Sequence, residues 1–138
     1  MLVLKSMRLG GTSILLVEDA ADVRDAFTVL LRSEGGDVTA ASSGRDAVAS
    51  VTGRSYDVVL TDLGLPDVAG DVLIRQILAT APRRPRVVAV TGYGQPHQDR
   101  ARAAGADVVL SKPVEWAVLL QELHRQDDTT RPAPGIAA

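Results

Sequence analysis

Short apolar runs mark the chain at Ile14–Val17, Val38–Ala41, Val58–Leu60, Val87–Val90 and Val108–Leu110. Each has the length and β-branched content of a strand, the second most weakly. Their apolar residues are continuous rather than alternating, the pattern of parallel strands covered on both faces. Helical spacing fills the gaps. Val23, Ala26, Phe27, Leu30 and Leu31 fall at i, i+3, i+4, i+7 and i+8. Ile74, Ile77, Leu78 and Ala81 follow the same rhythm, as do Trp116, Leu119, Leu120 and Leu123. Each set predicts a stripe facing a core. Ser43-Gly44-Arg45-Asp46 resembles a capping box with Asp in place of the usual Glu. Gly35-Gly36, Gly53 and Gly105 stand where helices should stop. Gln95–Ala104 differs, because it offers only Ala101, Ala103 and Ala104 to a core. It predicts the least firmly docked helix.

Alternating strands and helices predict a parallel sheet with helices on both faces. Right-handed crossovers leave few topologies. The reading adopted is an α/β, flavodoxin-like (βα)5 doubly wound sheet in strand order 2-1-3-4-5. Ligands of such sheets bind outside the carboxyl ends of the strands, near the switch point between strands 1 and 3. The expected organisation is a flexible N-terminal segment over residues 1–11, one domain over residues 12–126 and a disordered tail over residues 127–138. The tail is rich in Asp, Thr, Pro and Ala and has no periodicity.

Composition then removes whole classes of function. A chain of 138 residues suits one domain with one core. Aromatic residues make up 3%, so that core must be built from Val, Leu, Ile and Ala. A net charge of −2 argues against a nucleic-acid surface, which carries a basic excess. The absence of cysteine excludes disulfides, thiolate metal sites and cysteine nucleophiles. His97 and His124 are too far apart in sequence for a local metal motif and read as surface residues. Arg83-Arg84-Pro85-Arg86 reads as a solvated loop. No apolar run nears the ~20 residues of a membrane helix. Met1–Gly11 lacks the apolar stretch of a signal peptide. The expectation is a cytoplasmic location with no membrane or nucleic-acid partner.

The candidate chemistry gathers at strand ends. Glu18 and Asp19 follow the first strand and Asp62 follows the third. These strands are neighbours in the expected order, so the three acids converge. Clustered carboxylates repel one another, more strongly as water is excluded. A bound cation would relieve this. Oxygen ligands favour a hard cation, and few carboxylates plus water favour Mg²⁺ over a fully caged Ca²⁺. Thr91 ends the fourth strand, and Ser111-Lys112-Pro113 ends the fifth. Acids, a hydroxyl and an ammonium around one metal make a phosphoryl-transfer site. The Asp62 carboxylate can attack phosphorus as a nucleophile. Mg²⁺ and Lys112 would stabilise charge on the equatorial oxygens. Each piece alone has a plainer reading: acids suit a helix start, and Asp62 could cap a turn before Pro66. Their meeting on one rim is what favours the site.

Four segments then stand in order: Ile14-Leu15-Leu16-Val17-Glu18-Asp19, Val58-Val59-Leu60-Thr61-Asp62-Leu63-Gly64-Leu65-Pro66, Val90-Thr91-Gly92 and Ser111-Lys112-Pro113. In that order and spacing the chain resembles a response-regulator receiver domain of bacterial two-component signalling, stand-alone or of the hybrid-kinase type. The resemblance implies that Asp62 takes a phosphoryl group from a histidine kinase or histidine phosphotransfer protein. It implies Mg²⁺ held by Glu18, Asp19, Asp62 and the backbone carbonyl of Gly64. It implies that Thr91 bonds a phosphoryl oxygen, that Lys112 pairs with the phosphoryl group, and that the Lys112–Pro113 bond is cis. The only catalysis it implies is of the chain's own phosphorylation and dephosphorylation. The signal would pass to an unknown downstream protein, with no DNA-binding output domain in the chain. A homodimer through the fourth helix, fifth strand and fifth helix is a further expectation.

The pattern departs from the family at Val109, where many receivers carry an aromatic residue that swings inward with the threonine. Gly64 and Tyr93 stand where the family tunes attack of water on the phosphoaspartate. Ala69-Gly70 replaces a common acidic-Gly pair and bears on loop structure. Two alternatives follow. Val109 motivates a receiver-fold interaction module that works without phosphorylation-driven switching. An aspartyl-nucleophile phosphatase would need a second acid where Gly64 stands, and ranks last.

Overall fold

In the computed structural model, which describes residues 7–125, strands and helices alternate along the chain. The strands are β1 (Ser13–Val17), β2 (Asp37–Ala41), β3 (Val58–Asp62), β4 (Arg86–Thr91) and β5 (Val108–Ser111). The helices are α1 (Ala21–Ser33), α2 (Gly44–Gly53), α3 (Gly70–Thr80), α4 (Gln95–Ala104) and α5 (Trp116–His124). All strand pairs are parallel, as the apolar pattern predicts, and the sheet order is β2-β1-β3-β4-β5, the order adopted above.

Successive side chains of a strand point to opposite faces, so each strand feeds two cores. Ile14 and Leu16 of β1 join Leu31 of α1 and Leu119, Leu120 and Leu123 of α5 on one face. Leu15 and Val17 join Ala47 and Val51 of α2 and Leu73 and Ile77 of α3 on the other. Farther along that second face, Val87 and Ala89 of β4 meet Ile74 of α3 and Ala101 and Ala104 of α4. Two small side chains are all that α4 buries, as its composition predicts.

The expected stops hold. Gly105 takes φ 119° after α4 and Gly35 takes φ 91° after α1, both in the left-handed region that glycine enters freely. Half of the expected capping box forms: Ser43 Oγ accepts from the Asp46 amide at 3.1 Å, while the Asp46 carboxylate accepts from Ser42.

Three expectations change. Met7–Gly11, read above as part of a flexible lead-in, contributes Leu9, which is wholly buried and whose amide donates to the Glu34 carbonyl at 2.8 Å. Burying a leucine side chain stabilises by about 1.5–3 kcal/mol, enough to hold this turn down. The expected boundary at residue 12 therefore falls inside structured chain. Residues 1–6 and the expected tail, 127–138, lie outside the described residues.

The α1 stripe is the second change. Leu31 alone of that helix is buried, while Val23 and Leu30 are exposed. Phe27 packs half-buried against the core that holds Leu31, and with Val23 it also lines a cavity of about 660 Å³ between α1, the sheet and α5.

Arg83–Arg86 is the third. Arg83 pairs with Asp57, Arg84 with Asp107, and Arg86 with Glu122. The segment is not a solvated loop but an ion-paired seam at the start of β4.

Candidate functional site

Strand register builds the site. Val17 lies opposite Thr61, and Asp62 lies opposite Val90, so the residues after β1 and at the end of β3 share one rim with the end of β4. Thr91 lies opposite Ser111, which brings Lys112 to that rim from β5. The structure thus brings Glu18, Asp19, Asp62, Thr91 and Lys112 together at the carboxyl ends of four strands.

The three acids each offer a carboxylate oxygen, and these oxygens lie within 4.8 Å of one another. Glu18 is 7% exposed. Its amide donates to the Ala41 carbonyl at 3.0 Å, and its Oε2 accepts from the Ala20 amide at 3.1 Å. Burial pushes its carboxyl above the usual carboxylate range, and the charge of Asp62 pushes the same way. Asp62 Oδ1 accepts from the Gly64 amide at 3.0 Å, and Oδ2 lies 3.1 Å from Lys112 Nζ. The donor set is all oxygen and acidic, and it carries electrostatic repulsion that a cation would offset. It fits a hard divalent cation whose remaining positions are filled by water, the binding mode of Mg²⁺.

Lys112 is fixed by its backbone: its amide donates to the Thr91 carbonyl at 2.8 Å, and the Lys112–Pro113 bond is cis, as the resemblance implies. Thr91 is wholly buried, and its Oγ1 accepts from the Tyr93 amide at 2.9 Å. Tyr93 stacks on His97 with ring centroids 4.5 Å apart. A Cβ placed on Gly64 would stand 3.6 Å from Asp62 Oδ1 and 3.6 Å from the Tyr93 ring and hydroxyl. Tyr93 therefore bounds the space that Gly64 leaves open beside the acceptor. Gln98 of α4 donates to the Tyr93 carbonyl at 3.2 Å and to Ser111 Oγ at 3.0 Å, tying the helix to the rim. Val109 is half-buried against the core that contains Ala101 and Ala104 of α4.

One residue outside the sequence reading joins the site, and another braces the loop that leaves it. Arg24 Nη1 donates to the Glu18 carbonyl at 2.9 Å and to the Asp19 carbonyl at 3.3 Å. No motif marks it; the sequence signal is only its place one turn into the helix that follows the acids. Asp67, in the loop after Asp62, accepts from the Gly44 and Arg45 amides at 3.0 Å each. Those bonds hold its carboxyl below the usual carboxylate range. They also seat the β3–α3 loop on the start of α2, where a Cβ on Gly44 would overlap Val68 Cγ1.

The response regulator receiver domain family matches residues 14–124. The chain is 31% identical over 120 residues to the C4-dicarboxylate transport transcriptional regulatory protein DctD of Rhizobium meliloti (strain 1021), a match covering 86% of this chain and 26% of that protein. It is 26% identical over 111 residues to the cell cycle response regulator CtrA of Brucella ovis, covering 80% of this chain and 48% of that one. The chain thus spans half the length or less of these curated relatives. Among solved structures, it resembles the receiver domain of a sensor histidine kinase from Pseudomonas aeruginosa PAO1, which has a magnesium ion coordinated in its active-site cleft. That match has a TM-score of 0.77 at 34% identity and covers 85% of this chain and 98% of that one. A response regulator receiver domain protein from Clostridium thermocellum matches with a TM-score of 0.78 at 28% identity, covering 86% and 96%.

Proposed function

Because the chain belongs to the response regulator receiver domain family, we propose that Asp62 accepts a phosphoryl group from a histidine kinase or a histidine phosphotransfer protein. The observation that carries this is the junction at Asp62: two neighbouring carboxylates on one side and Lys112 on the other. Glu18, Asp19, Asp62 and the Gly64 carbonyl would hold Mg²⁺, which when bound neutralises charge on phosphoryl oxygens.

The chain's own residues do the rest. An Asp62 carboxylate oxygen forms the bond to phosphorus as the donor's P–N bond breaks, and the imidazole leaves with the electron pair. The ammonium of Lys112 faces the same carboxylate and meets the incoming negative charge. Thr91 Oγ1, which accepts from the Tyr93 amide, can donate its proton to a phosphoryl oxygen. That contact would draw on the loop through Tyr93, and Gln98 would pass the change to α4. The added charge is about −1.5 to −2 units at the rim. The surface of α4, β5 and α5 would carry the signal to a downstream protein or to a second copy of the chain.

Intact mass after incubation with a small phosphodonor and Mg²⁺ tests this. The expected result is a gain of one phosphoryl group in wild type and none in Asp62→Asn. No gain in wild type, or an equal gain in Asp62→Asn, overturns it. A second reading, an interaction module without phosphate switching, draws on Val109, whose side chain cannot make an aromatic swing. It predicts equal partner binding by wild type and Asp62→Asn.

A further inference from the structure

We infer that Arg24 is a positioning residue for the cation site, setting the shape of the Glu18–Asp19 turn before any cation arrives. The inference rests on the reading that this site takes Mg²⁺.

The turn carries a problem of its own making. Two adjacent acids must aim their carboxylates at a third, and the three repel. The chain between β1 and α1 is short: β1 ends at Val17 and α1 begins at Ala21. The N-cap residue, Ala20, has no side chain to fix the helix start. The turn is therefore held by bonds from its surroundings. The Glu18 amide is tied to Ala41 on β2, and the Ala20 amide is tied back to Glu18 Oε2. Those bonds restrain the amide side only. The carbonyls of Glu18 and Asp19 are both taken by one nitrogen of Arg24.

One guanidinium nitrogen carries two protons, so a single Nη1 can serve two consecutive carbonyls. Those carbonyls lie in the two peptide planes that flank Asp19, so fixing them fixes the direction in which the Asp19 side chain leaves the backbone; Glu18 is set by the first of these planes together with its own amide bond to Ala41. The choice of acceptor also matters. An arginine that paired with the carboxylates would compete with a cation for the same oxygens. Arg24 binds the carbonyls and leaves the carboxylates open, and among the described residues it forms no ion pair. The planar fork of arginine suits this, because less freedom is lost for each bond made.

Position and charge pull in opposite directions here, and that makes the inference testable. A guanidinium near a cation site repels the cation. If charge were the whole effect, removing Arg24 would tighten binding. If position dominates, removal loosens it. Loss of groups that orient metal ligands costs about 10- to 100-fold in affinity. The contacts of Arg24 are to backbone rather than to ligand atoms, so the low end, about tenfold, is expected.

The experiment is a Mg²⁺ titration of the full chain followed by backbone amide shifts, for wild type, Arg24→Met, Arg24→Lys and Asp19→Asn. Expected are saturable shifts in wild type, none in Asp19→Asn, an apparent Kd raised about tenfold in Arg24→Met and an intermediate value in Arg24→Lys. In metal-free Arg24→Met, the amides of residues 18–20 should move while those of the sheet stay. Phosphoryl uptake by Arg24→Met should recover as Mg²⁺ saturates. Binding by Arg24→Met as tight as wild type, or tighter, overturns the inference. Should Arg24→Met fail to fold, Arg24→Lys decides: affinity equal to wild type overturns it, and weaker binding with native sheet amides supports it. A wild type that takes up no Mg²⁺ overturns the reading of the site, and the inference with it.

Discussion

Lys112 Nζ lies 3.1 Å from Asp62 Oδ2, an ion pair that reaches from the end of β5 past β4 to the end of β3. Its partners differ in freedom: the Asp62 side chain is 12% exposed and that of Lys112 is 45% exposed. So exposed a lysine adds less than about 1 kcal/mol to stability. Its value lies in meeting charge that arrives on Asp62. Lys112→Met should slow phosphoryl uptake by about 100-fold, the lower end of what losing one charge-stabilising donor costs. The denaturation midpoint should stay near wild type. A time course of intact mass, run beside a urea titration, checks both. Wild-type uptake by Lys112→Met would remove the lysine from the reaction.

Glu18 makes the opposite trade, because the site holds it at the expense of the fold. Its carboxyl is raised above the ordinary value of 4.5, first by burial and then by Asp62. The native chain therefore binds that proton more readily than the unfolded chain does. Stability contributed at Glu18 is present in acid and falls as pH rises from 4.5 through the raised value. Glu18→Gln keeps an acceptor for the Ala20 amide and removes the charge. In the presence of a chelator, it should be more stable than wild type at neutral pH, and the gap should close in acid. Mg²⁺ should stabilise wild type more than the variant, by binding only the folded site. Urea denaturation across pH, with chelator and with Mg²⁺, measures this. A less stable Glu18→Gln at neutral pH in chelator would contradict it.

Asp67 has the reverse sign. The Gly44 and Arg45 amides hold its carboxyl below 3.8. Its contribution is present above that value and is lost as pH falls through the lowered one. An asparagine oxygen can replace only part of what two carboxylate oxygens do for two amides. Asp67→Asn should unfold at lower temperature than wild type at neutral pH, with the difference shrinking below pH 3.8. Thermal unfolding followed by circular dichroism across that range is the check.

These contrasts show what the chain reveals before it folds. The central strands were legible because β1, β3 and β4 are buried on both faces and so read as unbroken apolar runs, as at Val58–Leu60. The acids were legible because they directly follow such runs. The α1 stripe was misread because periodicity reports a face and not what meets it; Val23 and Leu30 border open space. Arg24 went unseen because its partners are carbonyls, which every residue has. Arg84 and Arg86 read as solvated because Asp107 and Glu122 are distant in sequence and come adjacent only after β5 pairs with β4 and α5 docks on the sheet.

The Arg86–Glu122 pair gives that last point an energetic test. Its side chains are 12% and 18% exposed, and the guanidinium also donates to the Glu122 carbonyl at 3.0 Å. Removing Arg86 leaves Glu122, among the described residues, only a longer contact to Arg125 at 3.7 Å, at a cost of up to about 3 kcal/mol. Arg86→Met should lose up to that much, while Arg86→Met with Glu122→Leu should recover most of it. A double-mutant cycle in urea measures the coupling. Equal losses in the single and double variants would mean that packing, and not charge, is what Arg86 supplies.

Tyr93 concerns the lifetime of the product rather than its formation. Hydrolysis of a phosphoaspartate needs water in line with the bond to Asp62. Gly64 leaves that side open, and the Tyr93 ring bounds the opening at 3.6 Å from where a Cβ would stand. The ring is half-exposed, so it stays only because something holds it: His97 stacks on it, and Gln98 takes its carbonyl. Tyr93→Ala should let water in and speed loss of the phosphoryl group by about tenfold, a barrier change of ~1.4 kcal/mol. His97→Ala should do the same more weakly, because it frees the ring without removing it. Gly64→Ala in the Tyr93→Ala background should restore part of the lifetime by filling the space from below. The decay of phosphorylated protein after removal of the donor measures all three. Unchanged decay in Tyr93→Ala would mean that water reaches phosphorus by a path the ring does not cover.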